Sequence, residues 1–332
     1  EEKPTGEISA QAGLGTSGAS IGFGIKENNF LGKGVSLDSN FLLSDDSFKG
    51  KFGVNNPNFK NSDKSIYISV EALENDNLEN FGYKSNKKGI NFGTKFEYLK
   101  DFNLGFGSSN FYEVIETNSS ASQAQQDQKG NYWDSFINLD FIYDKRNQKF
   151  QTTSGFKSFY SLDIPVISEK NTLKNYYDYE YYFDLFDKNI SSFSFLLRSA
   201  NSITGENVKL SERINLPSSR LRGFEAGRIG PKDGDDFIGG NYAASINFAS
   251  TIPQIFEDSQ NVDFLFFIDT ANLWGVDYNS SLDDSGSIRS STGVALDWFS
   301  PVGPLNFSIA LPITKKAGDK TETFRFNLGT TF

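Results

Sequence analysis

The 332-residue chain contains no cysteine, no histidine and no methionine. Without cysteine it forms no disulfide and offers no thiolate to a metal. Without histidine it has no imidazole to ligate zinc or to act as the base of a hydrolytic triad. Long apolar runs are missing too. The longest hold about five residues, as in Phe264 to Ile268, against roughly 18 to 20 for a membrane-spanning helix. Helical membrane proteins are therefore excluded. Basic residues are the minority, 32 Lys and Arg against 42 Asp and Glu for a net charge of −10, which argues against a nucleic-acid partner. The chain opens at Glu1 with no initiator Met, no basic n-region and no apolar h-region, the pattern of a processed or trimmed product.

Aromatic residues and glycine are abundant instead. There are 33 Phe, 14 Tyr, 3 Trp and 30 Gly, yet only 37% of the chain is hydrophobic and the mean hydropathy is −0.44. Length alone would suggest two or three ordinary domains, although all-β barrels run long as single units. The arrangement of the aromatics favours the barrel. Tyr177, Tyr179, Tyr181, Phe183 and Leu185 fall on one face of a strand, with Asp178, Glu180, Tyr182 and Asp184 on the other. Val262, Phe264, Phe266 and Ile268 oppose Asp263, Leu265, Phe267 and Asp269 in the same way. Leu305, Phe307, Ile309, Leu311 and Ile313 alternate with Asn306, Ser308, Ala310 and Pro312. Only a period of two sorts residues like this.

Continued along the chain, the pattern predicts strands near 7–14, 19–27, 35–44, 47–55, 64–74, 88–98, 101–115, 132–144, 154–166, 174–187, 190–203, 237–250, 261–273, 289–299, 304–314 and 320–332. The fold class is all-β: a 16-stranded antiparallel transmembrane barrel forming one domain over 1–332, with fourteen strands as the competing count. Short connections such as Asp45-Asp46 are expected to be periplasmic turns. Long polar ones, Asn118 to Asn131 and Thr204 to Asp236, are expected to be external loops. A soluble sandwich or propeller would show similar alternation, but it would have to cover an aromatic face on nearly every strand.

Motifs that look catalytic fit the barrel better. Gly13-Leu14-Gly15-Thr16-Ser17-Gly18 matches a dinucleotide fingerprint, but Ala19 to Ile25 alternates like a strand where that motif needs a helix, so it reads as a hairpin turn. Asp233, Asp235 and Asp236 lack the spacing of a Ca²⁺ loop and read as a solvated tip. The sequons at Asn118 and Asn279 carry no weight outside a eukaryotic secretory route. With no histidine and no paired-carboxylate constellation, no catalytic residue, metal site or cofactor is assigned, and an enzyme is not expected.

The longest connection, 204–236, carries Leu221-Arg222-Gly223-Phe224, and long loops in large barrels fold inward. An arginine inside a lumen needs a carboxylate, and Asp269, on the polar face of its strand, is the natural candidate. Leu221-Arg222-Gly223-Phe224 resembles the V/L-R-G-F loop motif of the BamA-like outer-membrane barrel-assembly family, within the superfamily that also holds two-partner secretion transporters. Asn29-Phe30-Leu31-Gly32-Lys33-Gly34, Asn56-Pro57-Asn58-Phe59, Tyr143-Asp144-Lys145-Arg146, Phe267 to Trp274, Ser300 to Leu305 and Phe324 to Phe332 resemble the family in the same order. The resemblance implies that Arg222, with Gly223 and Phe224, enters the lumen and pairs with Asp269. It also implies that Asn247 stands where the family often has a second acid, leaving the arginine one carboxylate fewer and a looser anchor unless another acid compensates.

The resemblance further implies a terminal signal in Phe324, Phe326, Leu328 and Phe332, with an inward kink at Gly329. The first strand is short and built of small residues, Ser9, Ala10, Ala12 and Gly13, so a weak seam between first and last strands is expected. The implied function is folding and insertion of nascent β-barrel proteins in the bacterial outer membrane. The implied partners are those clients, accessory periplasmic lipoproteins, outer-membrane lipid and lipopolysaccharide. The family's periplasmic domains are expected to be absent from this chain. Rival readings are a two-partner secretion or translocation-assembly transporter and, further off, a passive porin.

Overall fold

A computed structural model describes residues 5–15, 18–149, 151–186, 189–252, 261–283, 286–300 and 303–328. Sixteen strands form one antiparallel sheet in which each pairs with the next along the chain. They are β1 (Gly6–Gly15), β2 (Gly18–Phe30), β3 (Val35–Ser44), β4 (Ser47–Asn56), β5 (Lys64–Asn77), β6 (Tyr83–Leu99), β7 (Phe102–Thr117), β8 (Gly130–Asp144), β9 (Gly155–Ser168), β10 (Thr172–Phe183) and β11 (Ser191–Ser202). After a long loop containing a two-stranded ribbon, β12 (Lys232–Asp233) and β13 (Asp236–Phe237), the sheet resumes. Its last members are β14 (Tyr242–Thr251), β15 (Val262–Trp274), β16 (Arg289–Ser300), β17 (Gly303–Thr314) and β18 (Phe324–Leu328). Each sheet strand was anticipated from the alternation.

The two faces invert the polarity of a soluble protein. Ile21, Ile68, Phe106, Phe266, Ile309 and Phe324 are exposed on the outside, whereas Ser85, Glu113, Asp134, Asn247, Asp269 and Arg325 are buried on the inside. An apolar exterior around a polar interior is stable only where lipid replaces water outside. Strand length fits this. About 9 to 11 tilted residues cross a bilayer, and β3 and β4 have 10 each. With 17 residues, β6 extends beyond the membrane.

Three expectations need correction. Connections in an antiparallel sheet alternate between its two ends. The 45–46 turn therefore lies at the same end as 118–129 and 203–241, not opposite them, because strand parity rather than length decides the end. The strand expected at 237–250 begins at Tyr242, since Phe237 pairs with Lys232 in the ribbon. The strand expected at 320–332 begins at Phe324, because Thr321 bridges Phe224 of the loop instead of continuing along β17.

The strands β1 and β18 come within 8 Å of each other (Cα to Cα). Among the described residues no ladder register joins them, so the ordered sheet starts at β1 and ends at β18.

Candidate functional site

Part of the long loop is buried inside the barrel. Val208, Ile214, Leu216, Leu221, Phe224 and Ile229 of the loop form one buried cluster with Leu196, Ala200, Ala243, Ala271 and Leu273 of the wall. Polar anchors fix this plug. Asp269 on β15 is fully buried and its Oδ2 accepts hydrogen bonds from the Arg222 backbone N–H at 3.0 Å and from Nε at 2.8 Å. Its Oδ1 accepts from Arg222 Nη2 at 2.8 Å and from Asn247 Nδ2 at 2.8 Å. Four donors on two oxygens fill the carboxylate's acceptor capacity, and the two-pronged guanidinium contact is the strongest form of this pair.

Asn247 lies opposite Asp269 in the β14–β15 register, and Nδ2 also donates to the Arg220 carbonyl at 2.8 Å. It therefore supports the arginine indirectly, by saturating Asp269 and holding the loop backbone. Among the described residues Asp269 is the one carboxylate that pairs with Arg222. The remaining support is aromatic: the guanidinium lies 3.5 Å from the centre of the Phe267 ring.

Gly223 has φ +88°, and a Cβ there would stand 3.1 Å from Ala310 Cβ and 3.4 Å from Ser291 Cβ. The turn brings Phe224 to 2% exposure. Both the backbone angle and the close approach need glycine.

Sequence reasoning did not identify the loop's other anchors. Lys209 is fully buried and bridges Glu113 on β7, at 3.2 Å, and Asp134 on β8. Ser85 Oγ donates to Glu113 at 2.7 Å, and Ser168 Oγ donates to Asp134. Burial works against the ammonium, but Glu212, Glu113 and Asp134 outweigh it and raise its pKa above the ordinary 10.5. Arg220 donates to Asp178 at 3.0 Å and to Ser194 at 2.7 Å, tying the loop to β10 and β11. The signal that could have found Glu113 is its position between Tyr112 and Val114, which alternation puts on the inner face. Alternation does not name the loop residue that each wall acid meets.

A lid of loops covers the plug. Asp233 is 9% exposed and accepts from Ser122 Oγ and, at 2.9 Å, from Tyr278 OH, so it is not the solvated tip its sequence suggests. Burial, with the Asp233 carboxylate beside it, pushes the Tyr278 phenol up. Arg213 pairs with Asp277, and Arg289 grips Asp319 with Nε and Nη2 at 3.0 and 2.9 Å.

At the seam, Gly13 faces Ser20 in the β1–β2 register. Phe324 points outward and Phe326 stacks on Phe307 with ring centres 4.7 Å apart, while Leu328 registers with Leu305. Gly329 and Phe332 lie outside the described residues.

A sixteen-stranded barrel with an apolar exterior and an arginine-anchored loop docked on its inner wall is an integral outer-membrane barrel. The chain belongs to the Omp85 superfamily, whose domain matches residues 29–332. It is similar to the outer membrane protein assembly factor BamA of Neorickettsia risticii (strain Illinois), 25% identical, covering 100% of this chain and 46% of the relative. BamA of Neisseria meningitidis serogroup B is 23% identical, covering 100% of this chain and 47% of the relative. The chain thus spans about half the length of the curated relatives it matches. The crystal structure of BamA from Haemophilus ducreyi lacking POTRA domains 1–3 superimposes with a TM-score of 0.87 at 26% identity, covering 100% of this chain and 71% of that one. CdiB from Escherichia coli shares the fold, with a TM-score of 0.63 at 13% identity, covering 99% and 63%.

Proposed function

We propose that the chain is the membrane domain of an outer-membrane protein assembly factor, which folds and inserts nascent β-barrel proteins through the seam between β1 and β18. The observation that carries this reading is the superposition of the whole chain on a BamA barrel at a TM-score of 0.87, with 26% identity. The seam supports it: two strand ends stand side by side with no register among the described residues. A freed strand edge carries unpaired N–H and C=O groups that template an incoming strand.

The work requires no bond chemistry and no cofactor. Each client strand that pairs satisfies its backbone, and each lipid-facing side chain that leaves water adds hydrophobic free energy. The loop's part is mechanical. Arg222, Gly223 and Phe224, held by Asp269 and Asn247, fix the plug to the wall, while Phe324, Phe326 and Leu328 lie on the terminal strand that the seam uses, and Gly329 and Phe332 complete the terminal signal that the family resemblance implies. Accessory periplasmic lipoproteins, outer-membrane lipid and lipopolysaccharide are the further partners of this reading.

Depletion in the native host tests it. A general loss of outer-membrane barrels is the expected result. Loss of one secreted protein alone, with pore conductance in the purified barrel, would replace it with the two-partner secretion reading.

A further inference from the structure

Among the described residues, Arg325, which also pairs with the buried Glu322, is the side chain of the terminal strand that bonds to the docked loop. Arg325, the inward-pointing arginine of β18, is 7% exposed. Its Nη1 donates to the Ser218 carbonyl at 2.7 Å, and its Nη2 donates to the Phe224 carbonyl at 2.8 Å. A guanidinium makes both bonds at once because its N–H groups are set in a rigid fork. Just ahead of the strand, backbone pairs with loop in the manner of a short ladder. Glu322 N–H donates to the Gly223 carbonyl at 3.2 Å, Glu225 N–H to the Lys320 carbonyl at 3.1 Å, and Lys320 N–H to the Arg228 carbonyl at 3.1 Å.

The loop is thus a second neighbour for the loop-bearing end of β18, on the lumen side. Toward the opposite end, Phe326 turns outward onto Phe307, and the ladder to β17 carries Asn327 and Leu328. The same stretch of loop is fixed to β15 through Arg222, three residues before Glu225.

We propose that Arg325 is a positioning residue for the seam. It fastens the loop-bearing end of β18 to the docked loop, so that β1 and β18 part from the opposite end, and loop docking sets how far the parting runs. This rests on the seam reading given above.

Because the chain has no cysteine, paired spin labels can be placed without background in the full chain reconstituted in lipid nanodiscs. One pair, Ala12→Cys with Thr323→Cys, reports the loop-bearing end. A second, Glu7→Cys with Leu328→Cys, reports the opposite end. The expected result is a narrow distance distribution for the first pair and a broad one for the second. Arg325→Gln should broaden the first pair to the width of the second. Arg222→Ala should do the same, and the double variant should add nothing further. Equal widths in the parent protein overturn the proposal, as does a first pair that Arg325→Gln leaves unmoved. If Arg325→Gln does not fold, the comparison of the two pairs in the parent still decides. Insertion of a client barrel into liposomes, measured in parallel, separates the two readings. A broadened first pair with an unchanged insertion rate upholds the fastening and removes the seam from the assembly reading.

Discussion

Lys209→Met is the most informative single perturbation of the plug. The side chain is fully buried between Glu113 and Asp134, which are themselves fully buried, so the substitution removes a cation and strands two carboxylates in a dry site. Each retains a serine donor, Ser85 or Ser168, but loses its direct ion pair and keeps only a more distant cation, Lys87 for Glu113 and Lys174 for Asp134. Removing one partner of a buried ion pair costs about 3–5 kcal/mol, and the distant cations bring the cost toward the lower part of that range. At 1.4 kcal/mol per factor of ten, the docked-to-undocked ratio of the loop should fall between roughly one hundred-fold and a few thousand-fold.

Limited trypsin digestion of the folded barrel reads this ratio. The loop offers Arg213, Arg220, Arg222 and Arg228 as cleavage sites, and cleavage tracks the open population when opening is fast. The triple variant Lys209→Met, Glu113→Gln, Asp134→Asn removes the stranded charges and should regain most of the protection. A Lys209→Met loop as resistant as the parent's would refute the reasoning, as would a triple variant cleaved faster than the single.

Arg222→Ala leaves Asp269 with Asn247 as its remaining side-chain donor. It should cost about 3–5 kcal/mol of loop docking, seen as loss of trypsin protection together with loss of client insertion. Asn247→Ala should cost less, about 1–3 kcal/mol for the unsatisfied groups it leaves, and a cost equal to that of Arg222→Ala would show Asn247 to be a primary anchor. Gly223→Ala forces a side chain onto φ +88° and toward Ala310. It should cost about 1–3 kcal/mol, measurable as a lower denaturation midpoint of the plug. The raised pKa of Lys209 makes its contribution complete below pH 10.5 and lost as pH climbs through the higher folded value. The parent should therefore lose loop protection in an alkaline step above pH 10.5 that Lys209→Met lacks.

Much of the barrel was legible because a membrane strand has one pattern and few alternatives. Tyr177 to Phe183 and Val262 to Ile268 alternate so regularly that face and span follow from the residues alone. The Arg222–Asp269 pairing could be reached because one end was marked by a motif and the other by strand parity. Lys209, Arg220 and Arg325 could not be placed in this way. A long loop inside a barrel can meet any of several inward acids or carbonyls, and which one it meets depends on the path of its backbone, set by turns such as that at Gly223. Thr321 shows a different failure. Its alternation continues that of β18, but a docked loop offered it a closer backbone partner than β17 did. Asn247 looked like a missing charge, whereas its amide does work a carboxylate could not, since an ionised acid has no N–H to give Asp269.

The stitched mouth of the barrel has a consequence for permeability. Ser122, Asp233 and Tyr278 join three loops, and Arg289, the first residue of β16, holds Asp319 of the β17–β18 connection, while the plug is pinned to the wall. A wall that parts sideways under such a lid exposes strand edges to lipid without opening a vertical path for ions or small solutes. On the seam reading, the plug's contacts bear on leak and on lateral access together, whereas the bonds of the lid bear on leak alone.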